Sequence, residues 1–220
     1  MTALETPMAR PSDAESLSEV AGVILAGGLS RRMGGGDKSL LEVGGRSMLA
    51  AVMDRLADQA APLVLNANGD PRRFEHFGLP VFADPIDGYV GPLAGILGGM
   101  RWARQNSAAR WIVTVPADTP FIPRNLVDHL LTSLGVGDAE IAIARSGGRS
   151  HPVVGLWQLE MADDLEHWLG DADHRRADAW VASRRFVEVT FDSDQEFDPF
   201  FNVNTPQDAM TAAGLAVKVS

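Results

Sequence analysis

Cysteine is absent from this 220-residue chain. That excludes a disulfide framework and a thiolate metal site, and leaves no argument for an oxidising compartment. No stretch approaches the roughly 18 consecutive apolar residues of a membrane-crossing helix, so no membrane partner is expected. Residues 1–20 are polar, carry Pro7 and Pro11, and contain no continuous apolar run of the secretory type; they read as a disordered N-terminal tail. Basic residues are scarce, 19 against 29 acidic ones for a net charge of −10, which argues against a nucleic-acid partner. His76, His129, His167 and His174 are scattered with no metal-ligand spacing. The acidic stretch 192–198 puts Phe197 where a calcium loop of the EF-hand type needs glycine, so it reads as a solvated loop. A cytoplasmic location is what these absences leave.

Hydrophobic residues make up 45% of the chain and charged residues 22%, as in globular domains generally. The length suits one substantial core over residues 21–220. Residues 23–38 read V-I-L-A-G-G-L-S-R-R-M-G-G-G-D-K: an apolar strand running into a glycine-rich loop that bears Arg31, Arg32 and Lys38. Glycines let backbone N–H groups approach phosphate oxygens. Arg neutralises phosphate charge as a bidentate fork and Lys as a point charge. An acidic protein that binds a triphosphate must concentrate positive charge locally, and this cluster does so. Two widespread nucleotide patterns fail here. The P-loop requires glycine before its lysine, where this chain has Asp37, and the dinucleotide pattern G-x-G-x-x-G does not fit Gly27-Gly28-Leu29-Ser30-Arg31.

From Ala21 onward, short β-branched runs alternate with helical periodicity, which predicts a three-layer α/β/α Rossmann-like domain with a mostly parallel sheet. Strands are expected at 22–26, 62–68, 80–84, 111–115, 140–144, 152–159 and 186–191. Residues 40–43 and Gly44-Gly45 read as a short extended piece and a turn. Ser47 is a good N-cap for a helix to about residue 59. Further helical segments are expected at 71–77, from Gly91-Pro92 onward, at 125–134, 161–169 and 177–183, and after Thr205, with Thr205 as N-cap and Pro206 at the first helical position. The second half is expected to add an acceptor lobe and an antiparallel pair. The tryptophans at 102, 111, 157, 168 and 180 fit core packing better than base stacking.

Ligands of open α/β sheets sit outside the carboxyl ends of the strands. The polar residues at those ends are Asn66, Asn68, Asp84 and Asp118, beside the glycine loop. Asp118 is the best candidate for Mg²⁺, a hard cation that needs only one or two carboxylates when a substrate supplies phosphate oxygens; a helix-capping aspartate is the other reading. Asp84 before Pro85 is also a common turn setting.

The loop resembles L-A-G-G-x-S-x-R-M-G-x-x-K, and with Ala26-Gly27-Gly28 and Arg31-Arg32-Met33-Gly34-Gly35 it is similar to the molybdenum cofactor guanylyltransferase family. Gly91-Pro92-Leu93-Ala94-Gly95, His151-Pro152 and Asn202-Val203-Asn204-Thr205-Pro206 extend the resemblance over about residues 20–213. It implies a nucleotidyltransferase that moves GMP from GTP to the terminal phosphate of molybdenum-bound molybdopterin, with Mg²⁺. The implied GTP-binding residues are Leu25, Ala26, Gly27, Gly28, Lys38, Asn66, Asp84 and Asp118. Lys38, Arg32 and Asp118 are the implied catalytic residues, with Asp118 on the metal, and Asp84 reads guanine. His151, Asn202 and Asn204 are implied on the acceptor side. The nucleotide half then covers about 21–120 and the acceptor half 121–213, and molybdoenzyme-maturation proteins are candidate partners. Three alternatives stay open: a CTP-dependent cytidylyltransferase, which tends to read L-A-A-G; a sugar-phosphate nucleotidyltransferase; and a non-catalytic adaptor that carries the cofactor.

Overall fold

The fold is built on one strongly apolar strand, β1 (Val20–Leu25), whose side chains are buried on both faces. It begins at Val20, two residues before the start expected from the sequence. The computed structural model describes residues 18–26, 37–86, 91–171, 176–192 and 197–219. Within these, β1 is followed by a small hairpin, β2 (Glu42–Val43) and β3 (Arg46–Ser47), which turns at Gly44-Gly45 as expected. The remaining strands are β4 (Leu63–Asn66), β5 (Val81–Phe82), β6 (Trp111–Pro116), β7 (Ile141–Ser146), β8 (Arg149–Gln158) and β9 (Phe186–Thr190). The helices are α1 (Met48–Leu56), α2 (Pro92–Asn106), α3 (Leu126–Leu134), α4 (Ala162–Leu169), α5 (Ala177–Ala182) and α6 (Pro206–Val219).

The main sheet has the order β5-β4-β1-β6-β8-β7-β9. β5, β4, β1 and β6 run parallel, β8 runs antiparallel to both β6 and β7, and β9 is parallel to β7. The sheet is therefore mostly parallel with one reversed strand, as the sequence predicts. Alternation along β1 sorts the core into two layers. Val20 and Ile24 pack with Leu49, Val52 and Leu56 of α1 and with Leu126 and Leu130 of α3. Ala21 and Val23 pack on the other face with Leu93, Ile96, Leu97 and Met100 of α2, and with Leu165 and Trp180 of α4 and α5. Two-sided burial is why β1 and β6 read as continuous apolar runs rather than alternating ones. α6 closes a third, smaller cluster of Val43, Met48, Phe121, Val203 and Ala212. Trp157 and Trp180 are fully buried.

Several boundaries differ from expectation for local reasons. α1 ends at Leu56 rather than near residue 59 because Gln59 turns away to serve another helix. Its amide donates to the Pro123 carbonyl at 2.9 Å, and its oxygen accepts from Val127 N–H at 3.0 Å. That satisfies an orphan donor at the start of α3, where Asn125 makes no side-chain cap. β4 and β5 are shorter than the runs 62–68 and 80–84, because Asn68 and Asp84 bond to each other instead of continuing the ladder. Residues 71–77 form a 3-10 helix capped by Asp70. No helix among the described residues is long and apolar enough to cross a membrane.

Candidate active site

The carboxyl ends of β1, β4 and β6 open into one cleft. Its walls include Leu25 and Ala26 after β1, Lys38 and Ser39, Asn66 of β4, Asp84 after β5, Gly91 and Pro92 at the start of α2, Pro116, Ala117 and Asp118 after β6, and Val153 of β8. The floor is backbone. Ala26 N–H donates to the Asn66 carbonyl at 2.9 Å, and Ala117 N–H to the Leu25 carbonyl at 2.9 Å. Ser39 is buried, and its hydroxyl has no hydrogen-bond partner among the described residues.

Two polar clusters flank this floor. In the first, Lys38 Nζ lies 2.5 Å from Asp118 Oδ2 and 2.6 Å from Asn204 Oδ1. Both charged side chains are mostly shielded, at 18% and 24% exposure, so their attraction is screened less than that of a surface pair. The segment bearing Asn204 is pinned beside Asp118. Val203 N–H donates to the Asp118 carbonyl at 3.0 Å, and the Thr119 hydroxyl donates to Asn202 Oδ1 at 2.7 Å. α6 then starts with a reciprocal cap: Asp208 N–H donates to Thr205 Oγ1, while Asp208 Oδ2 accepts from the backbone N–H of Asn204 and Thr205, each at 2.8 Å. The Asn204 backbone N–H, foremost among these donors, holds the Asp208 carboxyl below its ordinary pKa. Thr205 and Pro206 play the roles read from the sequence; Asp208 completes a capping box in which glutamate is the usual third residue.

In the second cluster, Asp84 is gripped from both sides. Asn66 Nδ2 donates to Asp84 Oδ1 at 3.0 Å and Asn68 Nδ2 to Oδ2 at 2.7 Å, while Asp84 N–H donates to Asn68 Oδ1 at 2.8 Å. Asn66 is nearly fully buried, and it fits only because Gly95 of α2 has no side chain. A Cβ there would lie 2.4 Å from Asn66 Oδ1. Gly91 precedes α2 at φ 83°, a left-handed value that favours glycine. Arg73 links this cluster to the residue before Lys38: it pairs with Asp37 at 2.8 Å and donates to the Asn68 carbonyl at 2.5 Å.

Of the residues expected at the site, Leu25, Ala26, Lys38, Asn66, Asp84 and Asp118 come together in the cleft. Asn204 touches the cleft through Lys38, whereas Asn202 accepts from Thr119, a fully buried residue that is not part of the cleft wall. His151 is half-buried outside the cleft wall, next to Phe200 with ring centroids 4.9 Å apart. Gly27, Gly28, Arg31 and Arg32 lie outside the described residues. Sequence reasoning missed the part played by Asn68 in holding Asp84, and missed Arg73, Thr119 and Asp208 altogether. The Asn66-x-Asn68 spacing was the available signal for the first; nothing local marked the others.

A model of the MobA-like NTP transferase domain matches residues 22–186. The chain belongs to this family. Among its relatives in the family are the molybdenum cofactor guanylyltransferases of Rhodopseudomonas palustris, 51% identical over 90% of this chain and 94% of that protein, and of Mesorhizobium japonicum, 48% identical over 90% and 96%. Solved structures share the fold at lower identity. Molybdopterin-guanine dinucleotide biosynthesis protein A from Archaeoglobus fulgidus has a TM-score of 0.70 at 22% identity, covering 90% of this chain and 99% of that one. A CMP:2-keto-3-deoxy-manno-octonic acid synthetase complexed with CTP has 0.70 at 14%, covering 91% and 99%. As a MobA-like transferase, the chain is a nucleotidyltransferase with a Rossmann-like, mostly parallel sheet.

Proposed function

We propose that this protein transfers GMP from GTP to the terminal phosphate of molybdenum-bound molybdopterin, giving the guanine dinucleotide cofactor and pyrophosphate. The observation that carries the reading is the convergence at Lys38: one ammonium touches Asp118 from the nucleotide half and Asn204 from the C-terminal segment. Identities of 48–51% to guanylyltransferases over about 90% of the chain support the substrate pair.

In this mechanism an oxygen of the acceptor phosphate attacks the α-phosphorus of GTP. The new P–O bond forms as the bond to the β-phosphate oxygen breaks, and pyrophosphate leaves with the electron pair. A phosphate monoester is largely ionised near neutral pH, so no protein base is required, and catalysis reduces to positioning and charge stabilisation. Lys38 and Arg32 neutralise charge on the transferring and leaving phosphates. Leu25, Ala26, Gly27 and Gly28 line the nucleotide with backbone. Asp84 accepts from guanine N1–H and the exocyclic amine, its two oxygens oriented by Asn66 and Asn68 and each retaining a lone pair for the base. His151, Asn202 and Asn204 serve the acceptor.

The donor set at Asp118 fits Mg²⁺. It is a hard carboxylate on the cleft wall; one oxygen takes Lys38 and the other has no partner among the described residues. No group of three or more His, Asp or Glu able to hold a metal exists among the described residues, which suits a cation held largely by phosphate oxygens and water. Bound there, Mg²⁺ supplies charge neutralisation on the phosphates. The nucleotide half spans about 21–120 and the acceptor half 121–213 of one domain. The protein works in the cytoplasm and passes its product to molybdoenzyme-maturation proteins.

Position-specific labelling tests the reaction. Label from [α-³²P]GTP should enter the pterin product, and label from [γ-³²P]GTP should leave as pyrophosphate. Label from the γ position in the acceptor would indicate kinase-type transfer and end this reading.

A further inference from the structure

β8 runs against its neighbours, so its beginning lies at the same sheet edge as the carboxyl ends of β1, β6 and β7. That beginning is irregular. Ile143 of β7 pairs with Gly155, but the next residue, Ala144, pairs with His151, so residues 152–154 bulge out of the ladder. Pro152 has no N–H to donate to the ladder, and bulges beside active sites re-aim side chains. Here the bulge carries Val153, which lines the cleft, and begins directly after His151, which lies outside that wall at the same sheet edge.

His151 is not free to choose its tautomer. Ser146 Oγ lies 2.8 Å from His151 Nε2 and 2.7 Å from Asp198 Oδ1. Asp198 Oδ1 also accepts from Phe200 N–H at 2.9 Å. A carboxylate only accepts, and a serine hydroxyl has one proton. Ser146 therefore donates to Asp198 and must accept from His151, which places the ring proton on Nε2. Nδ1 is left with a lone pair and no partner among the described residues. The order Asp–Ser–His also excludes a serine nucleophile: the hydroxyl proton points at the carboxylate rather than at the ring, and Ser146 is almost completely buried. Burial, opposed by the Asp198 charge and assisted by Arg149, holds the His151 pKa below its ordinary value, so the neutral ring is favoured.

We propose that Ser146 and Asp198 are positioning residues that fix His151 as the Nε2–H tautomer, so that Nδ1 accepts a hydrogen bond from a ring or amino N–H of the acceptor substrate. This rests on the reading that residues 121–213 hold the acceptor. The same Asp198 starts the segment that carries Asn202 and Asn204, so one carboxylate ties the histidine to the rest of the acceptor side. The ligand class is a phosphorylated heterocycle rich in N–H donors, such as a pterin.

The test combines a spectrum with kinetics. Long-range ¹H–¹⁵N correlation of the ¹⁵N-labelled protein, with His151 assigned by His151→Gln, should show the Nε2–H pattern in the wild type. Ser146→Ala should convert it to a mixture of tautomers, and Ser146→Thr should restore it. Ser146→Ala and His151→Gln should each raise KM for the acceptor about tenfold and leave KM for GTP unchanged, while Ser146→Thr should not. An Nδ1–H wild-type spectrum, or a Ser146→Ala spectrum identical to wild type, overturns the proposal. So does an acceptor KM that ignores both substitutions while the tautomer responds. Absence of any turnover by the wild type with GTP and the pterin acceptor is a different failure, that of the proposed reaction itself. The tautomer spectra then still decide whether the relay exists.

Discussion

In the proposed reaction Lys38 acts on the transferring phosphoryl, a role suggested by the sharing of its ammonium between Asp118 and Asn204. In that reading, removing it would take positive charge from the point where charge develops, the kind of loss that costs about 10²–10³ in turnover. Lys38→Ala should therefore lower kcat for pyrophosphate release by that order, with only a small rise in KM for GTP. A change confined to KM contradicts the role. Asn68 belongs to the same scale. It grips Asp84 through two reciprocal bonds, so Asn68→Ala should leave the carboxylate present but loosely aimed. Competition assays should show the preference for GTP over the other triphosphates falling by about tenfold, the equivalent of one hydrogen bond of about 1.4 kcal/mol. Retained selectivity would mean that Asn66 alone orients Asp84.

At the scale of elements, the close approach of α2 to β4 is a requirement of the site. Gly95→Ala would drive a methyl group into Asn66 and to within 2.8 Å of a Leu25 methyl. Overpacking of this kind costs about 1–3 kcal/mol, and it falls on a residue that orients Asp84. The variant should melt at lower temperature and bind GTP more weakly, by calorimetry. α6 offers a cleaner case. Asp208 caps its own helix and holds the Asn204 backbone, so Asp208→Ala should cost about 1 kcal/mol. Because the folded-state pKa of Asp208 lies below the ordinary carboxylate value of 3.8, its contribution is fully present above that pH and is lost as the pH falls through the folded pKa. The stability gap between wild type and Asp208→Ala in urea melts should accordingly be constant near neutrality and close on acidification below about pH 4. A gap that persists in acid would show that the carboxylate is not the cap. Most elements were legible because their signals are local: two-sided apolar runs for β1 and β6, Ser47 and Thr205 as caps, Pro92 at a helix start. Boundaries failed where a side chain works for a distant element. Gln59 leaves its own helix to cap α3, and Asn68 leaves its strand to hold Asp84; periodicity carries no trace of either.

Across the whole molecule, the candidate site is assembled by contacts between distant parts of the chain. Lys38 lies 80 positions from Asp118 and 166 from Asn204, so no spacing rule predicts that they meet. What the sequence does carry is topology: parallel strands put their carboxyl ends on one edge, and that reasoning gathered Asn66, Asp84 and Asp118 correctly. The Asp198–Ser146–His151 chain was invisible for the opposite reason. It depends on the reversed strand β8 and its bulge, and Asp198 sits in an acidic stretch that reads as solvated. The proposed guanylyl transfer draws on the molecule as a whole, and the decisive assay is pyrophosphate release with each of the four triphosphates, Mg²⁺ and molybdenum-loaded molybdopterin, beside an Asp118→Ala control. Release is expected with GTP alone, dependent on the acceptor and lost in the control. Release with CTP, or release that ignores the acceptor, would contradict it.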